Sequence, residues 1–214
     1  MGPRPAARAA LIWGAVLALM LVPVIIAAFS PYLAWRNAAY IIGGFAGILC
    51  LSLMLLQPLL AAGYLPGLSG LRGMRWHRIA GALILLCVAL HVGGLFLTSP
   101  PDTLDALLLV SPTPFSVYGV TAMWGIVITA LLVGFRRRLR LRPGLWRWLH
   151  NGLAVVVVGA TVIHAVQIEG AMGPVSKWLL CLAVLAATLV GVLDLRVLRP
   201  ILQARRGRRA DSAI

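Results

Sequence analysis

The stretch WHRIAGALILLCVALHVGGL, residues 76–95, holds two histidines within an otherwise largely apolar run. A run of about 20 such residues is the length that an α-helix needs to cross a hydrocarbon core of about 30 Å. A second stretch, WRWLHNGLAVVVVGATVIHAV at residues 146–166, repeats this pattern. Neither stretch alternates with the period of two that is typical of a barrel strand. The two stretches therefore predict membrane-spanning helices that each carry two histidines.

The composition of the whole chain is that of an integral membrane protein. Of its 214 residues, 61% are hydrophobic and 11% are charged, with a mean hydropathy of +0.98. Soluble domains are about 45–50% apolar and about 25% charged, and a domain of this size could not bury the excess. Soluble, disordered and disulfide-stapled proteins are thereby excluded. The three cysteines lie inside apolar runs without a CxxC motif, and we interpret them as small buried apolar residues.

Six apolar runs predict an all-α integral membrane protein, a bundle of six transmembrane helices at 9–29, 36–60, 76–98, 115–135, 146–168 and 175–198. Proline and glycine mark the breaks, and the second helix has an alternative end at Gln57-Pro58. We interpret residues 1–214 as one domain, with a short basic cytoplasmic tail at 199–214. The first run is longer than the apolar region of a cleaved signal peptide, so we expect the mature protein to retain it.

The distribution of charged residues along the chain predicts the membrane topology. Of the 19 lysines and arginines, 17 fall at the N-terminus, in the second and fourth connections and in the C-terminal region. The other side receives Arg36 and Lys177, together with Asp102, Asp105 and Glu169. Because cytoplasmic loops are the basic ones, we predict a multi-pass protein of the bacterial cytoplasmic (inner) membrane with both termini in the cytoplasm. The accumulation of cations on the cytoplasmic side explains the net charge of +14, and we expect no nucleic-acid partner.

The chain has four histidines, and their spacing is the most informative feature of the sequence: His77, His91, His150 and His164. On each helix the two histidines are 14 residues apart, which places them on one face and about 21 Å apart along the axis. Both helices start from the basic side. His77 and His150 are therefore predicted at one depth, and His91 and His164 at another.

Two imidazoles at one depth can bind a haem iron from opposite faces of the macrocycle. We therefore predict two stacked bis-histidine sites. For a single histidine, a hydrogen bond between helices or a proton relay is the alternative. Zinc is disfavoured because no Asp, Glu or Cys clusters with the histidines. Five glycines near the ligands are expected to let a flat macrocycle approach the backbone: Gly81, Gly93, Gly94, Gly152 and Gly159.

Several other residues have two interpretations each. Arg75, Arg78 and Arg147 lie beside the cytoplasmic histidines. They are interpreted either as partners of haem propionates or as positive-inside anchors. The arginine-rich tail is a membrane anchor or a docking patch for an acidic flavoprotein. Gly43 and Gly47 form a GxxxG motif that favours close helix packing over dimerisation. We predict no acid–base or nucleophilic catalytic residue.

The histidine-bearing segments resemble those of the ferric reductase-like transmembrane family, which includes ferric reductases, NADPH oxidases and the haem-binding subunit of methionine sulfoxide reductase. The closest local matches are His-Arg followed by glycine at 77–81 and Leu-His-Asn at 149–151. The likeness covers residues 40–168, and the outer helices match only by number and topology. By this resemblance, the four histidines are axial ligands of two b-type haems, paired His77/His150 and His91/His164.

The resemblance implies transmembrane electron transfer by an oxidoreductase component. Ferric reductases and NADPH oxidases continue into a flavin- and NAD(P)H-binding domain, whereas this sequence ends in ILQARRGRRADSAI. We therefore expect a separate cytoplasmic flavoprotein or a quinol as donor, and an outer-side acceptor such as ferric iron. The first alternative is a subunit that delivers electrons to a periplasmic reductase. The length of the chain favours this alternative, whereas the complete set of four histidines favours the two-haem pattern. A haem-free transporter or scaffold is the second alternative.

Overall fold

The computed structural model describes residues 5–211, with side chains described up to residue 205. Arg4 and the side chains of Arg206, Arg208 and Arg209, all counted above with the basic residues, lie outside this description. The helices are α1 (Pro5–Ala28), α2 (Ala38–Ala62), α3 (Gly70–Thr98), α4 (Pro100–Leu107), α5 (Pro114–Leu139), α6 (Pro143–Gln167), α7 (Pro174–Leu193) and α8 (Arg199–Asp211).

Six helical segments are long and apolar enough to cross a membrane: α1, α2, α3, α5, α6 and the continuous run from α7 to Arg205. The predicted bundle of six transmembrane helices is thus confirmed. Proline occupies the first turn of α4, α5, α6 and α7. Backbone N–H groups in the first turn have no acceptor within the helix, so the absence of this group in proline costs no hydrogen bond there. The fixed φ of proline also suits the start of a helix. The proline-containing breaks of the sequence therefore set these helix boundaries.

Three segments differ from the sequence expectation. Helix α2 does not end at Pro58 but continues to Ala62, where Gly63 caps it with a φ of +71°. Inside a membrane helix, neighbouring helices compensate for such a proline, and α7 packs closely on Pro58 at Gly191. The connection after α3 forms the short helix α4 rather than an irregular break. The predicted basic tail is helical over Arg199–Asp211, and a π-helical segment, Asp194–Leu198, joins it to α7.

Helix α2 lies at the centre of the packing. It contacts α3 on one side and α7 on another, while α6 packs against both α5 and α7. The buried core joins α2 and α7 through Leu51, Leu55, Leu180 and Val184. Within the described residues, α3 and α6 are not among the closely packed helix pairs. The two helices that carry the histidines therefore face each other across a region with little backbone contact.

Two hydrogen bonds attach α1 to this bundle. The Ser52 hydroxyl donates to the Met20 carbonyl oxygen at 3.1 Å, and the Trp13 indole N–H donates to the Pro66 carbonyl oxygen at 3.2 Å. All three cysteines are free thiols; Cys50 and Cys181 are buried, as expected, whereas Cys87 is only partly buried. Helix α1 packs on α2 and α7, and its Val16 joins a small buried apolar cluster that includes Ala80 of α3.

Two buried histidine pairs as the candidate functional site

The four histidines meet as two pairs between α3 and α6. The ring centres of His77 and His150 are 6.2 Å apart with an angle of 69° between the ring planes. Those of His91 and His164 are 6.4 Å apart with an angle of 79°. These are the pairs that the 14-residue spacing predicts, and all four side chains are partly buried. Their role as ligands stays a prediction.

The separation within each pair is compatible with a shared metal ion. A histidine nitrogen binds a transition-metal ion at about 2.0–2.1 Å, and the ring centre lies ~1.1 Å further on, so two imidazoles in line through one ion have centres about 6.3 Å apart. Edge-to-face contact between aromatic rings covers about 4.5–7 Å between ring centres, so this separation also agrees with direct contact between the two imidazoles. In the described part of the chain, no group of three or more His, Cys, Asp or Glu could hold a metal ion. The donor set therefore fits a haem iron, whose other ligands come from the macrocycle, better than zinc.

Backbone carbonyls of α2 orient both histidines of α3. His91 Nδ1 lies 2.7 Å from the Gly43 carbonyl oxygen, and His77 Nδ1 lies 3.1 Å from that of Gln57. The Gln57 side-chain amide returns a hydrogen bond to the His77 carbonyl oxygen at 3.3 Å. In this arrangement Nδ1–H donates to the carbonyl, which selects the tautomer with a free Nε2. A hydrogen bond of this kind is the usual outer support of a metal-binding histidine.

Helix α5 gives the same support to one histidine of α6. His164 Nδ1 lies 2.8 Å from the carbonyl oxygen of Phe115, whose ring also contacts the imidazole edge to face at 5.8 Å. His150 differs, because its Nδ1 is buried without a hydrogen-bond partner among the described residues. Its ring is instead stacked on Trp146, with 5.4 Å between ring centres and 17° between planes. Three of the four rings are thus held by a carbonyl, and the fourth by an indole.

Two glycines make room for the rings of the His91/His164 pair. A methyl group added at Gly47 of α2 would lie 2.9 Å from His91 Nδ1. One added at Gly119 of α5 would lie 2.7 Å from His164 Cε1 and 2.8 Å from its Nδ1. Since such distances are well below van der Waals contact, any larger residue would displace the imidazole. The GxxxG motif of α2 therefore serves packing within the chain, as predicted: Gly43 meets α3, and Gly47 meets the histidine.

The five glycines that the sequence assigned to a flat ligand have different roles. Gly94 instead packs on α2, where an added methyl would lie 2.6 Å from the Ala39 carbonyl oxygen. Gly81 faces the Gln57 amide at 3.5 Å. The remaining three have open space around the position of a Cβ, with nothing within 4 Å: Gly93, Gly152 and Gly159. The expectation was wrong for Gly94, because adjacent residues on a helix point about 100° apart and this one faces its neighbour.

Charge separates the two ends of the bundle. One end of the bundle contains the first turns of α3 and α6 and the last turns of α5 and α7, and we call it the basic end. The His77/His150 pair lies near this end. Its exposed arginines include the three that the sequence placed near these histidines and five from the α5–α6 region: Arg75, Arg78, Arg147, Arg136, Arg137, Arg138, Arg140 and Arg142. The other end, which we call the acidic end, exposes Asp102, Asp105 and Glu169 and lies near His91 and His164.

A polar cluster ties the helices together at the basic end. The Tyr64 hydroxyl donates to Asp194 Oδ2 at 2.7 Å, and Arg199 pairs with the same oxygen at 2.9 Å while donating to the Ala62 carbonyl at 2.6 Å. Burial, and then the hydrogen bond to Asp194, raise the pKa of Tyr64, which lies outside the spanning helices. The hydroxyl therefore stays a donor at neutral pH, and the cluster holds the π-helical segment against the end of α2.

Sequence reasoning found the four histidines but missed the residues that orient them. The carbonyls of Gly43, Gln57 and Phe115 carry no sequence signal, since every residue has a carbonyl group. Trp146 could have been linked to His150 from helical spacing, because it lies one turn before that histidine, whereas Gly119 lies on a different helix from His164 and has no such signal. At the acidic end, Lys177 Nζ donates to the Val166 and Ile168 carbonyls at 3.2 and 2.6 Å and so caps the helix of His164.

The fold and this site define a helical membrane protein with two partly buried histidine pairs stacked between two of its helices. A family model described as ferric reductase like transmembrane component matches residues 44–161. This match covers more than half of the chain, so the chain belongs to that family. The matched segment contains His77, His91 and His150 and ends three residues before His164. No curated protein and no solved structure matches the chain.

Proposed function

We propose that this protein carries electrons across the membrane through two b-type haems, one held by His77 and His150 and the other by His91 and His164. The observation that carries the proposal is that all four histidines meet as two pairs between α3 and α6, with ring centres 6.2 and 6.4 Å apart, separations that a shared iron fits. The family supports the same conclusion in its coarser form, since membership suggests transmembrane electron transfer. When bound, haem supplies a one-electron couple at its iron.

The chain's own part in this function is to hold and tune the ligands. Carbonyls of α2 and α5 fix three imidazoles, which keeps Nε2 free and raises the basicity of these rings. Apolar side chains around the pairs exclude water, which lowers the local dielectric and thereby sets the reduction potential. No proton has to be moved by a side chain. The exposed arginines Arg75, Arg78 and Arg147 can bind propionate groups at the basic end.

The proposed direction of transfer follows from charge. Basic loops face the cytoplasm, so electrons enter near His77 and His150 from a cytoplasmic flavoprotein or a quinol. They leave near His91 and His164 for an acceptor on the outer side of the bacterial inner membrane. Ferric iron suits an end with exposed Asp102, Asp105 and Glu169, because carboxylates attract cations. A periplasmic reductase of the methionine sulfoxide type is the alternative acceptor.

The test is a reduced-minus-oxidised visible spectrum of the detergent-purified chain, with haem quantified per polypeptide. We expect two low-spin haems. His77→Ala and His150→Ala should remove the same haem, and His91→Ala and His164→Ala the other. Leu90→Ala and Leu149→Ala are matched controls, since each precedes a ligand and is exposed, at 45% and 39%. A colourless protein obtained with ample haem supply would overturn the proposal.

The acceptor is tested on the same preparation. Protein reduced anaerobically is mixed with a ferric chelate, and reoxidation is followed in the visible spectrum by stopped flow. Rapid reoxidation supports ferric iron as acceptor, and it should slow when Asp102 and Asp105 are replaced by Asn. Reduced haem that persists in the presence of the chelate would contradict ferric reduction and favour the periplasmic reductase.

A further inference from the structure

The four imidazoles are not equivalent, and the exception lies at the basic end. Three rings place Nδ1 within 2.7–3.1 Å of a backbone carbonyl oxygen. His150 Nδ1 is buried with no partner in the described part of the chain. A buried N–H without an acceptor is unfavourable, so the position of this ring must be set by other contacts. The chain offers one such contact, the indole of Trp146.

Trp146 is built into the same face of α6 as His150. The two residues are four apart, which on a helix brings their side chains together, and their rings are nearly parallel with centres 5.4 Å apart. This is an offset stack of the kind that aromatic rings prefer. The Arg136 guanidinium lies 4.7 Å from the centre of the Trp146 ring, a cation–π contact from the last turn of α5. Trp146 thus links a fixed positive charge to the imidazole.

A second cation lies on the other side of the same turn. With its amide in the orientation that its surroundings require, the Asn151 oxygen accepts hydrogen bonds from Arg196 Nε and Nη2. Arg196 belongs to the π-helical segment after α7, so two different helices bring guanidinium groups to the turn of α6 that holds His150. By contrast, the pair at the acidic end has two carbonyl-bound rings, at 2.7 and 2.8 Å. At that end, Lys177 is engaged with the end of α6, and Arg36 lies over the Tyr40 ring at 4.5 Å.

We propose that Trp146 is the positioning residue of His150 and that, with Arg136, it makes the His77/His150 site the one of higher reduction potential. This inference rests on the proposed function, and it makes transfer from the His77/His150 site to the His91/His164 site an uphill step, which the acceptor at the acidic end must drive. A carbonyl that accepts from Nδ1–H increases electron donation by the imidazole and so stabilises ferric iron. The basic-end site lacks one such bond, whereas the acidic-end site has both. A nearby guanidinium stabilises the reduced form further, because reduction lowers the positive charge at the iron.

The test compares variants of the full-length protein by potentiometric titration, with visible and electron paramagnetic resonance spectra recorded in parallel. Trp146→Leu removes the stack and admits water to His150 Nδ1. Trp148→Leu is the matched control, because this tryptophan lies two residues further on and is 80% exposed. Arg136→Gln is paired with Arg137→Gln, an exposed neighbour on the same helix. Trp146→Phe keeps an aromatic ring and tests rescue.

In the wild type we expect two potential steps. Trp146→Leu and Arg136→Gln should both lower the potential of the upper step and leave the lower step in place. The low-spin resonance signal of the same haem should shift in Trp146→Leu and return towards the wild-type signal in Trp146→Phe. The control variants should match the wild type. Haem content separates this effect from misfolding, since a misfolded variant loses both haems.

The inference is overturned when wild-type protein contains two haems and Trp146→Leu shifts the lower step, both steps or neither. It is also overturned when Arg136→Gln behaves like Arg137→Gln. A wild-type protein without haem is a different result, because it refutes the proposed function itself. The two failures are therefore distinguished by the haem content of the unmodified chain before any variant is titrated.

Discussion

Under the proposed function, replacing Gly119 by alanine should eject the haem held by His91 and His164 and leave the one held by His77 and His150. In an ordinary helix this change is favourable by about 0.5–1 kcal/mol, because alanine forms helices better than glycine. Here the new methyl group would lie 2.7 Å from His164 Cε1 and 2.8 Å from Nδ1. Carbon atoms in contact are about 3.5–4.0 Å apart, so the imidazole must move by ~1 Å.

The imidazole cannot make that movement without losing its support. His164 Nδ1 is 2.8 Å from the Phe115 carbonyl oxygen, and a shift of ~1 Å takes this pair beyond hydrogen-bond distance. Overpacking costs about 1–3 kcal/mol, and loss of an outer-shell partner lowers metal affinity about 10–100-fold. We therefore expect haem content to fall from two per chain towards one. The remaining spectrum should be that of the His77/His150 site.

The assay is haem per polypeptide, with the reduced-minus-oxidised spectrum and the thermal unfolding of the purified protein. Gly134→Ala is the matched control, because it lies on the same helix and an added methyl there meets nothing within 4 Å. This control should keep both haems and unfold at the same or a higher temperature. Two haems with unchanged potentials in Gly119→Ala would refute the reasoning, since the ring would then have no need of the space beside Gly119.

Three further predictions concern stability. Gly94→Ala should lower the unfolding temperature by an amount equivalent to about 1–3 kcal/mol, because its methyl meets the backbone of α2, whereas Gly93→Ala should not. Tyr64 has a raised pKa, so its contribution to the free energy of unfolding is complete below about pH 10 and disappears as the pH rises through the raised value. The unfolding temperature of Tyr64→Phe should lack this pH dependence. Lys177→Met should cost about 1–2 kcal/mol in thermal unfolding by uncapping α6, and an unchanged melt would contradict that role.

The spans and the depths of the histidines could be predicted because both depend on period and length alone. A spacing of 14 residues fixes one helix face whatever the neighbours are, and apolar runs with proline breaks define the helices. The pairing of His77 with His150 and of His91 with His164 needed one further step, that the third and fifth spanning helices run in the same direction. Two equal spacings then align both pairs at once.

The orientation of the rings could not be predicted, because it depends on which helices become neighbours. A carbonyl such as that of Phe115 is identical in sequence terms to any other. The choice between Gly93 and Gly94 had the same difficulty: both follow His91, and only the packing of α2 decides that Gly94 faces a helix while Gly93 has open space. Local sequence fixes where a side chain lies along a helix, and tertiary contacts fix what it meets.

The residues between the two pairs favour electron transfer over a proton relay. On the shared face of α3 and α6, the positions between the histidines include Ile84, Val88 and Val157, and Ile84 and Val157 are buried in the main apolar core. The two levels are about 21 Å apart along the helix axis, and a proton would need water or titratable groups throughout this distance. The hydrogen bonds between Nδ1 and backbone carbonyl oxygens also oppose the ring rotation that a proton relay requires. An electron needs neither feature, and in the proposed function the apolar side chains between the two haems lower the dielectric around them.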